Sequence, residues 1–297
     1  MTPFEDIPIT TAVLIVKFKG QINLEVPFPL LPWCREGPPG TIQNLQYGKM
    51  IRGIPDKPPK RAAFPNTVNI IIRISHKKVN MKVCPNKLQM TGVKSTQDAI
   101  EACDGLFRLL TSLQKDIDAV KKDKDEQALH RICDRVRGAE NAQVDPNDIL
   151  AWLTAETTRP AIEGFDANPV DQIIFVMISK NYSIGPLEKP LGYYAKRLQG
   201  RVGVKYNNCI DHNIKVWIRD DQLDEPTEND ADDELIDEVD SDSDDEYINS
   251  DECIKRPCMH KFTIHQTGQT TQNGRNLKRM EIARTKFLAI VNEIRSQ

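Results

Sequence analysis

Lys82-Val83-Cys84-Pro85-Asn86-Lys87-Leu88-Gln89-Met90-Thr91-Gly92-Val93-Lys94-Ser95 runs from a strand through a turn and a second strand to the start of a helix. Apolar and polar residues alternate up to Val83, a Cys-Pro-Asn turn follows, and alternation resumes from Lys87 to Met90, the pattern of an antiparallel hairpin. Beyond Thr91-Gly92, Ser95 reads as a helix N-cap with Asp98 at N3, an acidic variant of the capping box. Ile100, Cys103, Phe107, Leu110 and Leu113 then recur at helical spacing. One face of that helix has to pack on the sheet.

Upstream, Val68 to Ile74 and Val79 to Val83 flank a turn at Ser75-His76-Lys77-Lys78, so the hairpin belongs to a three-stranded meander. Further back, Ala12-Val13-Leu14-Ile15-Val16 and the alternating Gln21 to Val26 predict two strands between Ile9 and Val26. Nine prolines between Pro27 and Pro65 predict an extended, loop-like stretch with at most a short helix.

The second half repeats this order. Gln172 to Ile178 and Ile214 to Arg219 read as strands, and Lys261 to Gln266 with Gln269 to Gln272 forms a hairpin around Thr267-Gly268. Asn273-Gly274 leads into a helix striped by Met280, Ala283, Phe287, Leu288, Val291 and Ile294. The segments Asn86–Lys94 and Gly268–Asn276 occupy equivalent places, each with a glycine before the helix. The expected organisation is a first repeat over residues 9–115, a helical insertion or linker over 116–168, and a second repeat over 169–297.

The insertion announces itself by Ile117, Val120, Leu129, Ile132 and Val136 at helical spacing, and by Asp145-Pro146 as N-cap and N1 of a helix carrying Ile149 to Leu153. A second insertion, residues 220–252, holds 18 of the 43 acidic residues and no Lys or Arg. Its apolar density is too low for a core, so it is expected to be disordered. Elsewhere 25 acidic residues face 40 Lys and Arg, an excess of about 15 positive charges hidden by a formal net charge of -3. Such an excess is the footprint of a nucleic-acid binder, since Lys and Arg neutralise phosphates; a basic surface without a polyanion partner is the alternative.

Seven scattered cysteines (Cys34, Cys84, Cys103, Cys133, Cys209, Cys253, Cys258) suit reduced thiols better than a disulfide framework. Cys253, Cys258, His260 and His265 invite a zinc reading, but there is no second Cys-x-x-Cys pair and chance explains them better. No cofactor or metal is expected. No apolar run approaches the roughly 20 residues that span a bilayer, and Met1 to Asp6 has neither a basic nor an apolar leader region, so an intracellular protein is expected.

The duplicated unit resembles the TATA-box-binding protein family. That family's hairpin reads approximately I-F-x-S-G-K-x-V-x-T-G-A-K-S, which residues 82–95 follow closely and residues 264–276 follow loosely in register. The resemblance covers roughly Ile9 to Lys115 and Val170 to Ser296, and the two insertions make it most similar to the divergent factors of large DNA viruses. It implies an α+β fold: a duplicated saddle of curved antiparallel sheet, helices on the convex face and DNA under the concave one.

It also implies roles for individual residues. Thr91 matches the groove-facing threonine and Asn273 its counterpart, and Val13 matches a first-strand valine. Val83 and His265 fall at the positions of aromatic wedges that kink DNA. Phe64 is a candidate upstream wedge, and Met81 and Thr263 complete the DNA-facing set. Thr11 and Asp171 stand where the family places two asparagines, and an aspartate there is unfavourable beside phosphates.

The blander readings stand beside these. Strand alternation allows Val13, Met81 and Val83 to be groove-facing or core. Thr91-Gly92 also serves to end a strand, His265 reads as a surface histidine, and Lys278, Arg279, Arg284 and Lys286 read by default as a solvated helix face, with contact to a protein partner or nucleic acid as the sharper alternative. The acidic insertion reads first as an inert solvated loop, then as an intramolecular DNA mimic or a dock for a basic partner. Ser241 and Ser243 lie in a context suited to acidic-directed kinases.

The function implied is a transcription initiation factor, not an enzyme. It would bind A·T-rich double-stranded promoter DNA in the minor groove and recruit initiation factors or RNA polymerase. No membrane or small-molecule substrate is expected, and the location implied is the nucleus or a cytoplasmic viral factory, with packaging in the virion a further option. The alternative is a protein-interaction module that kept the saddle and lost DNA binding. An accessory domain of a nuclease or glycosylase fits less well, because no catalytic domain with paired carboxylates is attached.

Overall fold

A computed structural model describes residues 2–53, 66–137, 145–155, 159–165, 169–207, 211–223 and 259–297. Most of the acidic insertion therefore lies outside the described residues, as does Phe64. The elements in chain order are β1 (Ile9–Phe18), β2 (Gln21–Ile22), α1 (Pro27–Leu30), β3 (Ile42–Tyr47), β4 (Met50–Gly53), β5 (Val68–Arg73), β6 (Lys78–Val83), β7 (Lys87–Val93) and α2 (Thr96–Asp123). There follow α3 (Glu126–Arg137), α4 (Pro146–Thr154), β8 (Ile162–Glu163), β9 (Val170–Ser183), α5 (Leu191–Leu198), β10 (Gly203–Lys205), β11 (Asn213–Arg219), β12 (Met259–His265), β13 (Gln269–Gly274) and α6 (Leu277–Arg295). The protein is a mixed α+β chain built on antiparallel sheet, with six helices among the described residues.

It divides into two compact units, residues 13–174 and residues 1–12 with 175–297. In the first, the strands neighbour one another in the order β1-β7-β6-β5-β3-β4; in the second the order is β9-β13-β12-β11-β10. Each unit thus places its first long strand beside its last, with the others running back in turn.

Residues 13–174 pack α2 on one face of the sheet. Leu14, Ile70, Ile72, Val79, Met81, Leu88 and Met90 are at most 1% exposed, as are Leu106, Leu110 and Leu113 of α2. Burial of each such side chain contributes about 2 kcal/mol. The start of α2 is fixed chemically: Ser95 Oγ accepts from the Asp98 N–H at 3.2 Å, and Asp98 Oδ2 accepts from the Lys94 N–H at 2.7 Å and from Lys77 Nζ. The capping box is therefore displaced by one residue, the carboxylate reaching Lys94 instead of Ser95. Burial opposes ionisation of Asp98, but hydrogen bonds from Lys77, Lys94 and Ser95 prevail and hold its carboxyl below the usual range.

Three expectations change here. Only Gln21–Ile22 of the predicted strand Gln21 to Val26 forms, pairing with β8; the chain then turns into α1. The proline-rich stretch holds two strands, β3 and β4, whose Ile42 to Tyr47 lacks proline and pairs with β5. Ile117 and Val120 belong to α2, which runs 28 residues to a left-handed cap at Lys124 (φ 51°). The Asp145 N-cap of α4 forms as expected, accepting from the Asn147 N–H at 2.8 Å.

In the other unit, α5 and α6 cover one face. Phe262 of β12 stacks on Phe287 of α6 with centroids 4.4 Å apart, among Ile214, Val216, Ile218, Ile264, Met280 and Leu198. Gln272 is fully buried, donating to the Met280 carbonyl and accepting from the Tyr182 hydroxyl at 3.2 Å, so this polar side chain inside the core is satisfied. The sequence reading missed α5 and β10. Part of the basic face of α6 is structural as well. Arg284 is 7% exposed, lies against Phe4 and Tyr182 and donates to the Thr2 carbonyl; Arg279 donates to the Asp220 carbonyl.

Candidate functional site

Alternation along each strand sends one set of side chains to the helices and leaves the other on an open face. In residues 13–174 the register sets out two rows across that face. Thr91, Asn80, Ile71 and Asn44 are successive partners on β7, β6, β5 and β3, with Asn44 buried and donating to the Arg52 carbonyl; Gln89, Lys82, Asn69 and Gln46 form the next row. Arg73 opposite Lys78 adds two cations.

The other unit repeats the device. Asn181, Thr271, Thr263, Lys215 and Lys205 are successive partners from β9 to β10, and Ser179, Asn273, Lys261, Trp217 and Gly203 form the row beside them. His265 faces Asn213, and Met259 faces Arg219. Ser179 Oγ donates to Asn273 Oδ1 at 2.6 Å, which fixes the amide's orientation. None of the residues named in these rows is an Asp or Glu. Amides and hydroxyls that both donate and accept, interspersed with Lys, can hydrogen-bond base edges and offset phosphate charge.

Of the residues expected to contact DNA, Thr91, Thr263, His265 and Asn273 lie on open faces, half-buried. Val13 is half-buried on the side of β1 opposite the fully buried Leu14 and Val16. Met81 and Val83 do not belong to the set. Both face the helices, at 0% and 2% exposure, and Val83 lines a small apolar space with Leu106 and Leu110. Their apolar character is explained by this core, and the groove-facing reading is off by one residue.

Val83 and His265, moreover, are not equivalent. Val83 pairs with Leu88 and Ile264 with Thr270, each the last partner before its turn, so Ile264 is the counterpart of Val83. Thr11 is half-buried on β1, Asp171 is exposed on β9, and Phe64 lies outside the described residues.

Asn80, Lys82, Gln89, Lys215, Lys261 and Trp217 were not singled out from sequence. The signal was present in Lys78-Val79-Asn80-Met81-Lys82-Val83, where the polar residues alternate with the core. Of the four residues that invite a zinc reading, Cys253 and Cys258 lie outside the described residues, and His260 is fully buried with Nε2 2.6 Å from Asp220 Oδ1; among the described residues no group of three metal-binding side chains occurs. Cys34, Cys84, Cys103 and Cys133 are free thiols.

No protein-family model matches the chain, and no curated protein matches its sequence. Among solved structures it is similar to Methanococcus jannaschii TBP, at 15% identity and a TM-score of 0.48, over 97% of this chain and 98% of that one. At that TM-score the likeness decides nothing about function, which rests on the rows of side chains themselves. No helix among the described residues is long and apolar enough to cross a membrane.

Proposed function

We propose that this chain is a TATA-binding-protein-like DNA-binding factor without enzymatic activity, the product of duplicating one strand-and-helix unit. The observation that carries the reading is the composition of the open faces: Asn80, Lys82, Asn69, Gln89 and Thr91 in one unit, Asn181, Asn273, Thr263, Thr271, Lys215 and Lys261 in the other, with no carboxylate in the rows. The minor groove of A·T-rich DNA presents base acceptors that amide, hydroxyl and ammonium donors can meet. Promoter DNA and the initiation machinery are accordingly the partners proposed, in a nucleus or a viral factory. Affiliation with viral factors rests on the helical and acidic insertions.

A second reading, an interaction module that has lost DNA binding, draws on the burial of Val83 at a proposed wedge position and on the exposure of Asp171. Binding of A·T-rich and G·C-rich duplexes over a salt series, with a bending assay, separates the two. Preference for A·T with a steep salt dependence supports the factor; flat, weak binding to both supports the module.

A further inference from the structure

The outer edge of the second unit carries a groove that the rows alone do not explain. Gly203, Trp217, Arg219, Gln222 and Met259 line it. Trp217 projects from β11 to the open face and stands opposite Gly203 on the edge strand β10. A Cβ on Gly203 would lie 3.3 Å from Trp217 Cβ and 3.7 Å from its Cε3, so the indole lies close over the bare backbone of β10. Gly203 does not occupy the left-handed region, and what its missing side chain supplies is space for the ring. Beside the indole, Met259 is 40% exposed and pairs with Arg219.

We propose that this groove takes a single unstacked nucleobase, with the Trp217 indole as the stacking platform, Met259 and Arg219 beside it, and Lys205, Lys215 and Lys261 on the adjoining phosphates. Three features favour a nucleobase over an apolar side chain. The ring is flat and half-buried, the rim among the described residues is a guanidinium and an amide, and the neighbouring row positions are Lys205, Lys215 and Lys261; of the two carboxylates beside the rim, Asp220 is engaged by His260 and Arg279 and Asp221 is exposed. Bases stack on aromatic faces regardless of sequence, and the lysines supply the charge that retains the strand. A base can occupy the groove only when it has left the helical stack, so the unit discriminates for single-stranded, bulged or kinked DNA over an intact duplex. This rests on the reading that the open faces bind DNA.

The test uses the full chain and fluorescein-labelled oligonucleotides of one length: an intact duplex, the same duplex with one bulged thymine, and oligo-dT. The bulged duplex and oligo-dT should quench tryptophan emission and bind more tightly than the intact duplex. Trp217→Ala should abolish that preference with a roughly tenfold loss of affinity for both. Trp217→Phe should retain most of it, and Arg219→Gln should weaken it. Thermal melting of each variant separates loss of binding from loss of fold. Equal binding of the bulged duplex by wild type and Trp217→Ala, with Lys215→Gln still weakening all three ligands, overturns the base site and leaves the DNA reading standing. Failure of the wild type to bind any oligonucleotide at low salt overturns both. Quenching by a peptide but by none of the oligonucleotides assigns the groove to a protein partner and ends the proposal.

Discussion

Asn80 and Thr91 stand directly opposite one another across the β6–β7 ladder, both on the face away from α2, while Met81 and Met90, the next pair, are fully buried beneath that helix. The one-residue offset separates surface chemistry from stability. Thr91→Glu should weaken duplex binding at least tenfold, because it sets a carboxylate among phosphates, and should leave the melting temperature within a few degrees. Met81→Ala should do the reverse, costing about 2–4 kcal/mol in urea denaturation with little change in the affinity of the folded fraction.

The lysines of the open faces make a separate, quantitative expectation. Replacing Lys215 and Lys261 together by Gln should lower the slope of log affinity against log salt by about 0.9 for each phosphate that is no longer neutralised. A fluorescence anisotropy titration at four salt concentrations measures it. An unchanged slope would place the phosphates elsewhere.

Asp98 sets a pH dependence. Its carboxyl titrates below the usual range in the folded protein, so its contribution is present above the unfolded carboxylate value of about 4 and is lost as the pH falls through the folded value. Asp98→Asn should cost about 1–2 kcal/mol near neutrality, since it weakens the hydrogen bonds to Lys77 and Lys94. Denaturation curves at pH 7 and pH 3 should show the gap between wild type and variant closing in acid.

Gly268 closes the β12–β13 hairpin with φ at +78°, and a Cβ there would lie 1.8 Å from the Gly185 carbonyl oxygen. The two segments are already tied by the Ile184 N–H donating to the Gly268 carbonyl at 2.9 Å. Gly268→Ala should therefore destabilise this unit by roughly 3 kcal/mol, through a left-handed backbone and a backbone collision. Gly92, also at positive φ (+82°) but with its nearest neighbour 3.9 Å away, should tolerate alanine at a cost of only about 1 kcal/mol. Calorimetry of the two variants decides it.

Elements whose signals are local could be read from the amino-acid order alone. The β5–β6–β7 meander, the β12–β13 hairpin, the Ser95 and Asp145 caps and the apolar stripe of α6 all follow from alternation, turn chemistry and 3.6-residue spacing within short windows. Partnership across the chain, by contrast, emerges only on folding. Strands β3 and β4 were hidden among prolines and exist because β5 offers a ladder to pair with; β10 is three residues long and exists because β11 does. The open side was legible where polar and core residues alternate, as in Lys78 to Val83, but not in the apolar runs of β1 and β9, whose faces only packing assigns. Trp217 was not singled out in the sequence, and it is the register that sets it over a glycine at the sheet's edge.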